Sequence, residues 1–274
     1  MDFGENRGKV AAFFDLDGTL MPLPSLELRF FDNLRYRHAI PFRNYFFWFA
    51  EAFRLMPRGI DVVRRGNKMY LRGVPAEVQQ GALPKADEEF FEEGVAQVVW
   101  HLRQGHAVVL ITGTLEPLAR EAARSLQAEI VARGVSASVH VCATQLETAH
   151  RKWTGRITGE AMFGPEKARS ARKLAAAMQW DLAKCYAYGD SASDRWLLGI
   201  VGHPTAVNAC EDLAQIARKH NWAMADWKSG RSSRRRRTNL ENTRVEKAEL
   251  IAQVPENERI EMDAAPCKKV ESLG

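Results

Sequence analysis

Cysteine is scarce in this chain of 274 residues: four side chains, Cys142, Cys185, Cys210 and Cys267, lie far apart. None forms a CxxC pair or has histidines at zinc-ligand spacing, which excludes a zinc module and a disulfide scaffold. Reduced thiols in a cytoplasmic protein are expected. Long apolar runs are missing too. The aromatic patch at 45–49 is broken by charge on both sides, so no membrane-spanning helix is expected. Residues 1–9 are polar, with charges of both signs, and lack the basic start and apolar centre of a secretory signal, so export is not expected. No repeat at solenoid or propeller period is visible.

A net charge of +5 suggests a nucleic-acid partner only until its source is located. Lys228, Arg231 and Arg234 to Arg237 supply six positive charges in one short stretch, and without them the chain sums to −1. No specific nucleic-acid partner is expected. Residues 228–274 read as a basic, charged tail without fixed structure.

What remains is 46% hydrophobic and long enough to bury a full core. Short apolar runs at 10–15, 107–112, 139–143, 185–190 and 205–208 alternate with helical patterns such as 117–132, 165–178 and 210–220. That alternation predicts an α/β fold, a Rossmann-like parallel sheet flanked by helices. About ninety residues separate the first two strands, too many for one crossover. They read as helical with turns at Pro57-Arg58-Gly59, Arg72-Gly73-Val74-Pro75 and Leu83-Pro84. The expected organisation is a core of 1–20 and 84–227, an inserted helical cap at 21–83, and the tail.

Phosphate esters repel nucleophiles, so their cleavage needs a nucleophile, cations, and an acid for the leaving oxygen. Asp15 and Asp17 stand two apart at the end of the first strand, where the turn through Gly18 can bring both carboxylates over one point. Gly189-Asp190-Ser191-Ala192-Ser193-Asp194 follows another predicted strand and adds carboxylates suited to a magnesium ion. A lone Asp-x-Asp is weak evidence, since paired acids are common in solvated turns. Strand context and the second acidic cluster outweigh that reading.

Four ordered segments carry a resemblance: Asp15-Leu16-Asp17-Gly18-Thr19, Thr112 in Leu110-Ile111-Thr112-Gly113-Thr114, Lys167 in Gly164-Pro165-Glu166-Lys167-Ala168, and Gly189 to Asp194. In this order they resemble the haloacid dehalogenase (HAD) superfamily of aspartate-nucleophile phosphatases, in subfamily IB, which contains phosphoserine phosphatase. The resemblance covers roughly residues 9–227 and is least in the cap. It implies the HAD fold and a magnesium-dependent phosphomonoesterase. Asp15 would attack phosphorus to form an aspartyl-phosphate, and Asp17 would protonate the leaving alcohol and later deprotonate the hydrolytic water. Thr112, Gly113 and Lys167 would bind the phosphoryl group; Asp15, the Asp17 carbonyl, Asp190 and Asp194 would hold Mg2+ directly or through an outer contact. Lys173 competes with Lys167 on type alone, but Lys167 sits at a predicted helix start. Thr112 stands where phosphoserine phosphatases carry serine, and Thr114 where they carry a second glycine, which weakens the case for phosphoserine itself.

The substrate expected is a small phosphoserine-like metabolite or a lipid phosphomonoester. Between residues 30 and 53, Phe31, Tyr36, Phe42, Tyr45, Phe46, Phe47, Trp48 and Phe49 are interleaved with arginines. The favoured reading makes these aromatics the cap's own core; the other is a surface that meets a membrane or an acyl-bearing phosphate, placing the protein peripherally at a bilayer. Arg64 and Arg65 are candidate anion holders that are more often surface residues, and His203 reads as a packed loop residue. Competing functions are phosphoryl transfer to an acceptor other than water, and a non-catalytic phosphate-binding or membrane-associated regulator. Oligomeric state is left open.

Overall fold

The structure, a computed structural model, describes residues 10–76 and 90–228. The chain divides into a body, 1–228, and a separate unit, 229–274. The expected tail and the cap's expected C-terminal boundary lie outside the described residues.

The sheet runs in the order β3-β2-β1-β6-β7-β8 and every pairing is parallel. Its strands are β1 (Ala11–Phe14), β2 (Ala107–Leu115), β3 (Val139–Thr144), β6 (Tyr186–Gly189), β7 (His203–Val207) and β8 (Ala223–Ala225). The chain leaves β1 outward through β2 and β3, then returns to its other side as β6. That reversal makes the β1/β6 boundary a switch point, where crevices open beyond the carboxyl ends of strands.

A strand covered on both faces reads as a continuous apolar run rather than an alternation, and β1 is buried at every position. Its residues divide between two cores. Ala12 and Phe14 join Val108, Leu110, Val95, Val98, Leu126 and Ile130 under α4 (Glu92–Arg103) and α5 (Glu116–Ala132). Ala11 and Phe13 join Val109, Ile111, Ala171, Ala175, Leu213 and Ala217 under α6 (Pro165–Met178) and α8 (Glu211–Lys219). Period-two alternation therefore anchors the strand from both sides and holds its end rigidly.

Between β1 and α4 the described segment is helical: α1 (Leu26–Tyr36), α2 (Arg43–Leu55) and α3 (Ile60–Gly66). Ser25 caps α1 by accepting from the Leu28 amide. These helices have cores of their own. Phe30, Leu34, Ile40, Tyr70, Leu71 and Val74 pack with Leu115, Leu118 and Trp153, and Ala52, Leu55 and Val63 form a smaller group. Trp153 belongs to the antiparallel hairpin of β4 (Leu146–Ala149) and β5 (Lys152–Ile157), which the sequence reading did not anticipate. His203 is exposed in β7, stacked on Tyr186 with centroids 4.4 Å apart, and is not a packed loop residue.

The aromatics of α2 also depart from expectation. Tyr45 and Trp48 turn inward with Phe31, but Phe42, Phe46, Phe49 and Phe53 are exposed. An amphipathic helix thirteen residues long has room for only one inward stripe, so the remaining rings face water.

Candidate active site

The first turn after β1 presents two carboxylates. Asp15 lies just beyond the strand, its amide donating to the Tyr188 carbonyl of β6 at 3.0 Å. The chain then turns through Gly18 at φ +84°, a left-handed conformation that suits glycine. A Cβ there would stand 2.1 Å from Asp190 Oδ2. The glycine thus allows the loop after β1 to lie against the loop after β6. Asn208, just after β7, fastens the same turn: its side-chain amide donates to the Gly18 carbonyl at 2.9 Å, and its Oδ1 accepts from the Trp227 amide at 2.8 Å.

Lys167 enters from α6. Gly164, at φ +55°, and Pro165 at the first helical position set the start of the helix. The lysine two residues on is 1% exposed, with Nζ 2.8 Å from Asp15 Oδ1 and 2.7 Å from Asp194 Oδ1. Lys173 is exposed to solvent. Asp194 is fixed further by Ser191, whose amide and hydroxyl both donate to Oδ2, at 3.0 and 2.7 Å. This is a capping box around the short turn after β6.

Asp17 is held apart from that group. Its Oδ1 accepts from the Leu26 amide at 2.8 Å, and its Oδ2 accepts from the Thr114 hydroxyl. The Thr112 hydroxyl accepts from the Thr114 amide at 3.2 Å, a role that leaves it able to donate its own proton. Gly113 is secured through its carbonyl, which accepts from Thr144 Oγ1 at 2.8 Å. Asp15, Asp17, Thr112, Gly113, Lys167 and Asp190 all line one cavity of about 780 Å³; Asp194 is buried beneath it behind Lys167. A second cleft, of about 930 Å³, lies between α2–α3 and the start of α6 and holds none of these residues.

Burial and crowding shift the titrations. Burial drives the Asp15 carboxyl up to about 6, against the pull of Lys167. Asp190 is pushed up to about 8 by burial and then by the charges of Asp15 and Asp194. Asp17 is raised, chiefly by burial, against the hydrogen bonds from Thr114 and Leu26. For Asp194 burial works upward too, but Lys167 and Ser191 outweigh it and hold the carboxyl low. Lys167 is shifted upward because Asp15 and Asp194 overcome its own desolvation.

The donor set fits a hard cation. Asp15, Asp190 and Asp194 each offer a carboxylate oxygen within 4.8 Å of the others, and magnesium prefers oxygen ligands. Burial, and then the neighbouring Asp15 and Asp194, push the Asp190 carboxyl up against Lys167, and a cation bound here would favour its ionised form. Both oxygens of Asp194 are already engaged, so Asp15 and Asp190 could bind an ion directly while Asp194 orients the lysine.

Several residues outside the candidate set also build the site. Ser191 was readable, since Ser-x-x-Asp after a strand is a capping signal. Thr114 gave only an alternation with Thr112, and Asn208 only its place in Ala206-Val207-Asn208, a segment that also resembles subfamily IB. Glu27, Lys68 and Tyr70 line the cavity from the helical side; Glu27 Oε1 accepts from Lys68 Nζ and, at 2.8 Å, from the Tyr70 hydroxyl. Only packing brings those three together across forty-odd residues.

Comparison with known proteins identifies the family and the fold. The model of the haloacid dehalogenase-like hydrolase family matches residues 12–198. Phosphoserine phosphatase SerB1 of Mycobacterium tuberculosis is 31% identical over 237 residues, covering 82% of this chain and 73% of that one. A solved structure of a protein of unknown function from Bordetella pertussis is 26% identical, with a TM-score of 0.57 over 79% of this chain and 98% of the other. A substrate-bound phosphoserine phosphatase shares the fold, with a TM-score of 0.54 at 17% identity over 81% of this chain and 95% of that one. This chain belongs to the haloacid dehalogenase-like hydrolase family.

Proposed function

We propose that the protein is a magnesium-dependent phosphomonoester phosphatase acting through an aspartyl-phosphate on Asp15. The observation that carries this reading is the placement of two carboxylates on one cavity with different partners. Asp15 is held by Lys167, whereas Asp17 is held by Thr114 and the Leu26 amide. Groups two residues apart thereby receive separate tasks, nucleophile and acid/base.

A carboxylate oxygen of Asp15 forms a bond to phosphorus as the ester oxygen departs. Asp17, whose carboxyl is raised by burial, delivers its proton to that oxygen, so a neutral alcohol leaves. Lys167 balances charge on the phosphoryl oxygens, and the Thr112 hydroxyl and Gly113 amide donate to them. Asp17, now ionised, takes a proton from water; the water oxygen bonds to phosphorus, the bond to Asp15 breaks, and phosphate is released. Asp15 and Asp190, with the Asp17 carbonyl and Asp194 as further or outer partners, would hold Mg2+. When bound, that ion adds positive charge against the carboxylates and the phosphoryl group.

The substrate is a phosphomonoester of a small, phosphoserine-like metabolite or of a lipid. The test is phosphate release from a panel of both kinds, with magnesium or chelator, by wild type and Asp15→Ala. Magnesium-dependent turnover lost in Asp15→Ala is expected. No turnover by folded wild type on any ester would sink the reading.

A further inference from the structure

Phe42, at the N-cap of α2, and Phe46, Phe49 and Phe53 within it stand at successive steps of four, three and four, on one outward stripe, and are 75, 64, 66 and 84% exposed. A contiguous apolar face of this kind marks an interaction surface. It is also continuous with the catalytic cavity. Phe49, together with Leu23 and Leu28, which are exposed as well, lines the wall that faces Asp15 and Asp17. Phe31, Tyr45 and Trp48 line it deeper in. On this side the acid Glu27 already pairs through Oε1 with Lys68 and accepts from the Tyr70 hydroxyl, so its charge is offset before any substrate ammonium group arrives.

Charge identifies the partner. Residues 26–76 contain ten Lys and Arg against four Asp and Glu, a net of +6. Arg35, Arg43, Arg58, Arg64 and Arg65 of this segment are exposed. A second copy docked stripe to stripe would bring two such surfaces into mutual repulsion. An anionic bilayer accepts both features, because aromatic rings settle at the headgroup level and arginines lie against lipid phosphates.

We propose that the Phe42/Phe46/Phe49/Phe53 face seats the protein on an anionic lipid bilayer and that its substrate is a phosphomonoester whose alcohol carries an apolar tail, entering past Phe49. The substrate half rests on the phosphatase chemistry proposed above; the docking half does not. The tail lies along Leu23, Leu28, Phe31 and Trp48 while the phosphate reaches Asp15.

The test uses the full chain and the double variant Phe46→Ser/Phe53→Ser, whose positions do not line the cavity. Co-sedimentation is measured with vesicles of phosphatidylcholine alone and with added phosphatidylglycerol. Turnover is measured on p-nitrophenyl phosphate, phosphoserine and vesicle-borne lysophosphatidic acid. Wild type should bind only the anionic vesicles and favour lysophosphatidic acid over phosphoserine. The double variant should lose vesicle binding by about ten-fold or more, with p-nitrophenyl phosphate turnover unchanged. Equal vesicle binding by wild type and double variant would overturn the docking, as would a dimer in light scattering that the variant converts to monomer. Preference for phosphoserine would overturn the tailed substrate. Absent or Asp15-independent turnover would instead remove the phosphatase reading, leaving the vesicle result to stand on its own.

Discussion

Replacing Lys167 with methionine keeps an unbranched apolar stem in α6 and removes the charge between Asp15 and Asp194. The lysine is buried, 2.8 and 2.7 Å from the two carboxylates, and Asp190 completes a group within 4.8 Å. Removing one partner of a buried pair costs about 3–5 kcal/mol, because the other charge stays behind without compensation. For a body of this size each kcal/mol moves Tm by about 2–4 °C, so a fall of roughly 10 °C is expected in chelator at pH 8. The pH dependence has a definite sign. Asp15 and Asp190 already titrate at about 6 and about 8, above the ordinary 3.8, and the variant pushes them higher. The folded state then keeps protons that the unfolded chain releases as pH rises above about 4, so stability falls with rising pH. The deficit of Lys167→Met should shrink at pH 5 and grow at pH 8. Magnesium, by restoring positive charge, should raise the variant's Tm more than that of wild type. Calorimetry at both pH values, with chelator and with magnesium, reads all of this. A Tm in chelator at pH 8 indistinguishable from wild type would refute the reasoning, since it would mean that the carboxylates do not depend on Lys167 for their charge balance.

Three further outcomes are expected. Gly18→Ala forces a Cβ to 2.1 Å from Asp190 Oδ2 at a φ of +84°; the magnesium concentration for half-maximal turnover should rise about ten-fold, and an unchanged requirement would exclude Asp190 as a ligand. Thr114→Val keeps the buried shape but removes the hydroxyl that donates to Asp17. Steady-state kinetics should show kcat reduced about ten-fold at unchanged KM, whereas an intact kcat would show that Asp17 needs no such support. His101 is buried with Nε2 2.8 Å from the Tyr188 hydroxyl, and burial, aided by His106, lowers its pKa from 6.5 to about 3. The unfolded chain takes up that proton first as pH falls, so urea denaturation should reveal about 2–3 kcal/mol of wild-type stability lost between pH 7 and pH 4.5 that His101→Phe does not lose. Parallel losses in both proteins would disprove the assignment.

Five strands and the helices α5, α6 and α8 were legible because their signals are local. A parallel strand buried on both faces is a short, unbroken apolar run, and Phe13-Phe14-Asp15 ends one with a carboxylate. The β4–β5 hairpin and β8 carry weaker patterns. Ala223–Ala225 is three small or flexible residues at a sheet edge, and β5 bends at Gly155, φ +84°. Their pairing depends on what lies beside them in space, as Trp153 against Phe30 illustrates.

The residue types and order of the candidate site were equally open to inspection: Asp15, Asp17, Asp190 and Asp194 follow strand ends, Thr112 and Gly113 lie in the last residues of β2, and Lys167 follows a helix start, and each type suits phosphate chemistry. What the amino-acid order determined by itself was therefore the fold class, the family and the set of chemical groups, all of which follow from short-range pattern. Which group touches which was decided by the tertiary structure. Thr114 meets Asp17, Ser191 holds Asp194, and Lys68 meets Glu27 only after distant segments pack. The same holds for α2, where periodicity predicts a helix but its two aromatic faces look alike in composition. Only packing against Tyr70 and Trp153, beside Phe31 of α1, turned Tyr45 and Trp48 inward and left Phe42, Phe46, Phe49 and Phe53 facing water, because burial is a property of the partners a side chain meets, and those partners lie elsewhere in the chain.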